Sequence, residues 1–443
     1  MKQKLLTSIF ALGTVFSLAS CMKSPEASVL KTFKELRNPS NLNHSYSNDD
    51  VKDPEYLSFK DKMKAFATRL SESFAKREFA AKENIVISPL SIELCLGLSI
   101  SASSGTTRQE MLDAIGVDFE TFNKHYKLFF NETSFEAYSN TKMLQGQLLL
   151  SNSIWIDNDV KLKDSGLDNL NNDYYCYSYD VDFDGRNKDT NEAIREFIKD
   201  KTKGLIDQNL NLSPETLFTL MNTLYLKDIW NNEGDNLSYT KEGITFKNYD
   251  GNISHKKLLE GYYKDGRVLN REDFSAFHTI TCNGIVINFI KPSEGKDIKD
   301  VFNKENIAMV LDSSNYQFVD NDKKEIYHTK TIFPEYSADI NLNLIPMFKE
   351  DFNVKSLFSS ECDLSNLTDD KVYCSEFKQI AKLKVDKKGI EGAAVTYQAY
   401  AGASAPDEEW KDVYETFIVD ESFGYVVMRN NAILFSGIVT NID

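Results

Sequence analysis

The sequence predicts an α+β protein in which helices pack around large, mainly antiparallel β-sheets. Three observations lead there. The hydrophobic period changes along the chain, with helix spacing in the first third of the body and apolar runs that read as strands later on. Hydrophobic residues make up 41% of the chain, and Phe (29) and Tyr (21) together supply a large core. From Tyr56 onward there is no internal repeat and no Pro/Gly-rich linker. A single domain over residues 55–443 is therefore expected, not the two or three that 443 residues would allow.

The N-terminus reads as an export signal. Lys2 and Lys4 form a short basic region, and Leu5 to Ala19 is apolar but too short to span a bilayer. Leu18-Ala19-Ser20-Cys21 follows and resembles the lipobox of bacterial lipoproteins. That resemblance implies a signal peptide over residues 1–20 and lipidation of Cys21. It also implies an exported protein held on a bacterial membrane, at the periplasmic face or the cell surface. Residues 21–54 are rich in Ser, Asn, Lys and Asp and read as a flexible tether. Loss of Lys2 and Lys4 takes the net charge from −16 to −18. A surface so acidic repels phosphate backbones, so nucleic acid is not an expected partner.

Within the body, Leu57 to Phe79 places Met63, Phe66, Ala67, Leu70 and Phe74 at helix spacing. Ser91 to Ala102 reads as a buried helix opened by Ser88-Pro89, since Pro is tolerated in a first helical turn. Strands are expected at Leu148–Ile156, Leu217–Leu226, Phe277–Phe289, Phe377–Val385 and Phe423–Ile438. Beyond Cys21 five cysteines remain: Cys95, Cys176, Cys282, Cys362 and Cys374. Five thiols cannot all pair, and their spacing matches neither a disulfide framework nor a zinc site. Buried free thiols are the simplest account, with a Cys362–Cys374 bridge as the alternative.

Enzyme signatures are missing. The chain has no G-x-S-x-G elbow, no P-loop, no G-x-G-x-x-G and no H-E-x-x-H. The five histidines are far apart and lack ligand spacing, and Asp407-Glu408-Glu409 reads as a solvated loop face. No catalytic residue, metal or cofactor is expected. An exported hydrolase with a site assembled from distant residues is the weaker alternative.

Several stretches, in order, resemble the serpin family. Asn84-Ile-Val-Ile-Ser88-Pro89-Leu-Ser91 is similar to the segment that leads into the family's second helix, and Gly105-Thr106-Thr107 to the turn beyond it. Asn222-Thr-Leu-Tyr-Leu-Lys-Asp-Ile-Trp230 has the Asn and Trp at the family's spacing, under the upper breach of the central sheet. Phe417 to Phe423 and Ala432 to Gly437 resemble the closing strands. A shutter-region His of many members would fall at Gln379. The likeness spans about Tyr56 to Asp443.

The resemblance implies a protruding reactive-centre loop at about residues 387–416, fed by the strand that ends near Gly389. The hinge would be Gly389, Ile390, Glu391, Gly392, Ala393, Ala394, Val395 and Thr396. After cleavage this segment would insert into the central sheet as an extra strand. Alternation turns Ile390, Gly392, Ala394 and Thr396 inward, and small residues suit an interior that is already packed. Counting into the loop from Lys387 gives Ala403-Ser404 as the scissile bond, with Tyr397 and Tyr400 as alternatives and Lys411 too distant. Small residues there suit an elastase-like or subtilisin-like protease. Lys387-Lys388 and Ile390 depart from the family pattern, where acidic residues and a small hydroxyl residue are usual. The reading that results is a monomeric, membrane-anchored suicide inhibitor of serine, or alternatively cysteine, endopeptidases. The alternative is a surface binding protein that kept the scaffold and lost trapping.

Overall fold

The computed structural model describes residues 28–40, 42, 45–139, 142–230, 237–391 and 410–442. Helix α1 (Pro54–Glu78) starts where Asp53 accepts the N–H groups of Glu55 and Tyr56, with Pro54 in the first turn. Its apolar stripe, including Met63, Phe66, Ala67, Leu70 and Phe74, is buried as the spacing predicts. Helix α2 (Pro89–Ala102) is capped by Ser88 and buried on every side, which its apolar and small residues allow at every position but Glu93. Helices α3 (Gly105–Ile115) and α4 (Phe119–Thr133) complete the helical first third, and α5 (Asp164–Tyr174) and α6 (Asn187–Lys201) follow.

Twenty-two strands form three large sheets and one hairpin among the described residues. The main sheet contains β1 (Lys34–Arg37), β3 (Phe135–Tyr138), β4 (Leu144–Asp157), β5 (Cys176–Val181) and β6 (Phe218–Ile229). Its other members are β17 (Tyr336–Asn343), β18 (Lys378–Asp386) and β19 (Gly389–Glu391). Their order is β1-β5-β4-β6-β19-β18-β17, with β3 also on β4. A second sheet joins β7 (Ser238–Tyr239), β10 (Leu259–Glu260), β11 (Lys264–Asp265), β15 (Val319–Asp320), β16 (Glu325–Phe333) and β20 (Lys411–Ile418). A third runs β12 (Leu269–Asn270), β13 (Phe274–Ile280), β14 (Val286–Pro292), β21 (Phe423–Arg429), β22 (Ala432–Val439) and β2 (Ile85–Ile87). The hairpin is β8 (Ile244–Lys247) with β9 (Ile253–Lys256). Most pairs are antiparallel; β4·β5 and β16·β20 are parallel.

One large core lies between the helices and the sheets. A smaller one lies beneath α6 on the other face of the main sheet, where Trp155 stacks on Tyr179 at 4.4 Å and Phe197 packs edge-on. All five described cysteines are free thiols, so Cys362 and Cys374 are not bridged.

Two expectations need correction. Residues expected in the tether are part of the body: β1 adds to the edge of β5, and Ser28, Val29 and Leu30 all donate to the Glu196 carboxylate on α6. Burial of Val29, Leu30 and Phe33 against the small core draws this polar stretch onto the sheet. Phe277–Phe289 and Phe423–Ile438 are each two strands of a hairpin. Their turns fall at Gly284 (φ +76°) and at Asn430 and Asn431 (φ +47° and +72°), residue types that accept left-handed backbone.

Candidate functional site

The site is a strand-wide slot in the main sheet, and its upper end is occupied by three residues of the hinge. Strand β18 turns at Lys387-Lys388 and returns as β19, pairing Asp386 with Gly389, Val385 with Ile390 and Lys384 with Glu391. On its other side β19 pairs with Ile229, Asp228 and Lys227 of β6. The turn is held by Lys387 N–H donating to Glu335 Oε1 (2.8 Å) and Lys388 N–H donating to Asp386 Oδ1 (2.7 Å). Trp230 Nε1 donates to the carbonyl of Asp386 (2.8 Å), so the indole fastens the turn from beneath.

Gly389 is required by space and by backbone. Its φ is +154°, and a Cβ there would lie 2.0 Å from the carbonyl oxygen of Asp228. Ile390 points inward and is 1% exposed, as the alternation predicts. Glu391 turns to the other face and accepts the Tyr225 hydroxyl at 3.1 Å. Beside Ile390 sits buried Asp228, whose carboxylate accepts from Thr281 Oγ1 (2.5 Å) and Asn283 Nδ2 (2.7 Å). Burial raises its pKa above the ordinary carboxylate value, and these donors oppose the shift.

Below Glu391 the described residues leave the sheet open. Both β6 and β18 are antiparallel to β19, and the described residues form no ladder directly between Phe218–Leu226 and Lys378–Leu383. A solvent-connected cleft lies there, floored by Ser91, Ile92 and Cys95 of α2 and roofed by Ile198, Ile206 and Leu210. Gln379 exchanges two hydrogen bonds with Ser88, accepting its N–H (3.0 Å) and donating to its carbonyl (2.9 Å). Ser91 Oγ donates to the carbonyl of Asn222 (3.4 Å), and Asn222 Nδ2 donates to Asn152 Oδ1 (2.9 Å). The buried Oδ1 of Asn222 accepts no bond from any described residue. Burial pushes the Cys95 thiol up to about 12, so it is no nucleophile at neutral pH.

The structure thus gathers Ser88, Pro89, Ser91, Asn222 and Gln379 at the floor of the slot and Trp230 at its top. Asn222 lies well down β6, at the level of α2, and not beside Trp230 under the upper end. Asn84 stands apart: its amide bonds to Ser337, Thr440 and Asn441 and ties β2 to the C-terminal tail. Gly392, Ala393, Ala394, Val395, Thr396, Tyr397, Tyr400, Ala403, Ser404 and Cys21 lie outside the described residues. Sequence reasoning missed Tyr225, Asp228 and Glu335. Each is defined by a partner distant in the chain, and no local signal marks it.

Residues 61–442 match the family described as serpin (serine protease inhibitor). Iripin-1 of Ixodes ricinus is 23% identical over 377 residues, covering 82% of this chain and 90% of that protein. A serpin-like protein of Methanosarcina acetivorans is 23% identical over 395 residues, 84% and 85% of the two chains. Among solved structures, Serpin48 of Tenebrio molitor superposes with a TM-score of 0.68 at 18% identity, over 90% of this chain and all of that one. The thermophilic serpin tengpin in its native state gives 0.67 at 20% identity, over 94% and 99%. The fold is that of an α+β serpin scaffold. The chain belongs to the serpin family, whose members are in general inhibitors of proteases and not catalysts.

Proposed function

We propose that the protein is a suicide inhibitor of serine endopeptidases that traps its target by inserting the cut loop into this slot. The observation that carries the reading is β19 itself: these three residues begin a ladder between two strands that, among the described residues, are not paired with each other along a cleft. Stepping the register five residues on from Glu391 sets Thr396 opposite Gln379 on one side and Asn222 on the other. Thr396 carries a hydroxyl, and the vacant acceptor on Asn222 would receive it.

In the proposed reaction the protease serine Oγ adds to the carbonyl carbon of Ala403. The bond to the Ser404 nitrogen breaks, that amine takes a proton from the protease general acid, and Ala403 remains as an ester of the protease. Free at that end, about twelve further residues (392–403) enter the sheet and gain ladder bonds at roughly 0.5–1.5 kcal/mol each, on the order of 10 kcal/mol in all. At about 3.3 Å per residue the acylated end is drawn about 40 Å down the sheet, carrying the protease with it before water can release it. The intact protein is then kinetically trapped above a more stable inserted state. The elastase-like or subtilisin-like target, the lipid on Cys21, the bacterial membrane location and the monomeric state belong to the same proposal and rest on the residues that suggested them.

Incubation with pancreatic elastase or subtilisin tests it. A covalent complex that survives SDS is expected. Simple cleavage at the loop without a complex would leave a binding scaffold, and hydrolysis of ester or glycoside substrates by the protein itself would favour an enzyme.

A further inference from the structure

The far end of the loop is held by a different device. His328 on β16 is bonded through both ring nitrogens: Nδ1 lies 2.9 Å from Asp265 Oδ1 on β11, and Nε2 lies 3.0 Å from Asp412 Oδ1 on β20. An ionised carboxylate can only accept, and a neutral imidazole carries one N–H, so both bonds form together only with the imidazolium. The ring also stacks on Tyr414 of β20, with centroids 5.2 Å apart. We infer that His328 is a proton-operated clasp that fixes β20, the strand following the loop, to the second sheet.

β20 depends on such a tie. Among the described residues it is an edge strand, paired on one side only and parallel to β16, and Asp412 and Tyr414 are exposed. On the same face Tyr414 also packs edge-on against Tyr263 at 5.0 Å, and the remaining holds lie along the opposite face: Lys411 with Glu325 (3.3 Å), Glu415 accepting from Val268 N–H (3.0 Å), and buried Phe417. The groups facing His328 are accounted for. Asp265 comes from β11, and Asp412 and Tyr414 come from β20. Lys330, two residues along β16, is engaged by Glu260 of β10 at 2.7 Å. On β15, Asp320 has Arg267 and Lys323 as its partners, and Lys264 stands opposite Thr329, on the other face. Burial pushes the pKa of His328 down, but the bonds to Asp412 and Asp265 outweigh it and the net direction is up. The clasp is therefore complete below the ordinary imidazole range and is lost as pH rises through the raised value.

The consequence for function rests on the insertion reading. An uncut loop is anchored at both ends. Running Gly389 to Ala403 down the slot leaves only residues 404–410 to climb back, a reach of about 23 Å against a descent of about 50 Å. β20 must strip from β16 before an uncut loop can enter, so the clasp slows loss of the active form, most strongly in mildly acidic surroundings.

The test uses the full uncut chain at about pH 6 and about pH 8.5, either side of the imidazole range, with His328→Phe, which keeps a ring against Tyr414, and Asp412→Asn. Hydrogen exchange of the 411–418 amides, corrected for intrinsic rates, is read beside spontaneous conversion to a higher-melting form. In wild type, protection is expected to fall roughly three- to tenfold from the lower to the higher pH, with conversion accelerating in step. Both variants are expected to show low, pH-independent protection. Equal protection in wild type at both pH values, or variants indistinguishable from wild type, overturns the clasp; should His328→Phe fail to fold, Asp412→Asn at the surface decides alone. Protection that follows pH while no higher-melting form appears, even after the loop is nicked, upholds the clasp and refutes insertion.

Discussion

The two ends of the loop are anchored by opposite kinds of chemistry. At the hinge, Gly389 to Glu391 sit inside the main sheet, bonded on both sides, with Ile390 buried and Trp230 fastening the turn. At the far end, β20 is an exposed edge strand held on one flank and tied by a charged histidine. On the proposed insertion, more chain would follow the first anchor inward. The second is built to stay put, and to let go under a change of charge. A spring-loaded inhibitor needs this asymmetry, because insertion must begin at the hinge and must wait for a cut.

The comparison breaks most completely through Thr396→Arg. If insertion passes Gln379 and Asn222, a cation there would be buried without a partner at a cost of several kcal/mol. Covalent complex with elastase should then fall on the order of a hundredfold while loop cleavage continues; unchanged complex formation would show that the residue never enters. Next in size is Gly389→Ala, whose Cβ collides with the Asp228 carbonyl. It should unseat β19 and cost about 2–4 kcal/mol in urea unfolding, a figure typical of strained backbone and overpacking together. Trp230→Phe removes the bond to Asp386 and part of the packing on Phe333, and a loss of about 1–2 kcal/mol is expected by the same measurement.

The smallest effect concerns Glu93, buried on α2 with neither carboxylate oxygen bonded to a described residue. Burial raises its pKa well above the ordinary value, so the folded protein holds this proton more tightly than the unfolded chain. Its contribution to stability is whole below about pH 4.5 and declines as pH rises towards the folded value. Glu93→Gln should therefore melt higher than wild type at pH 8, with the gap closing towards pH 4. A gap that widens on acidification would contradict the assignment.

Sequence alone revealed α1, α2 and the strands on either side of the slot, because periodicity and capping are local, whereas the inward face of Ile390 followed from alternation only once the resemblance had marked the hinge. The polar floor was reached only through resemblance: nothing near Gln379 says that its partner is Ser88, almost three hundred residues away. β1 was hidden by a composition that reads as a tether, since what holds it is the edge of β5 and the carboxylate of Glu196. The hairpins at residues 274–292 and 423–439 were readable, for Asn283-Gly284 and Asn430-Asn431 are turn signals lying inside the apolar runs. His328 gave no sign at all, because Asp265 and Asp412 reach it from two other strands.

Melting of the intact protein against the same protein nicked within residues 397–405 addresses the slot most directly. If the slot takes up the freed strand, the nicked form melts above the intact one, by roughly ten degrees or more for a gain on the order of 10 kcal/mol in a body of this size. Equal melting temperatures would mean that the slot stays empty after cleavage, and the trapping mechanism would be wrong.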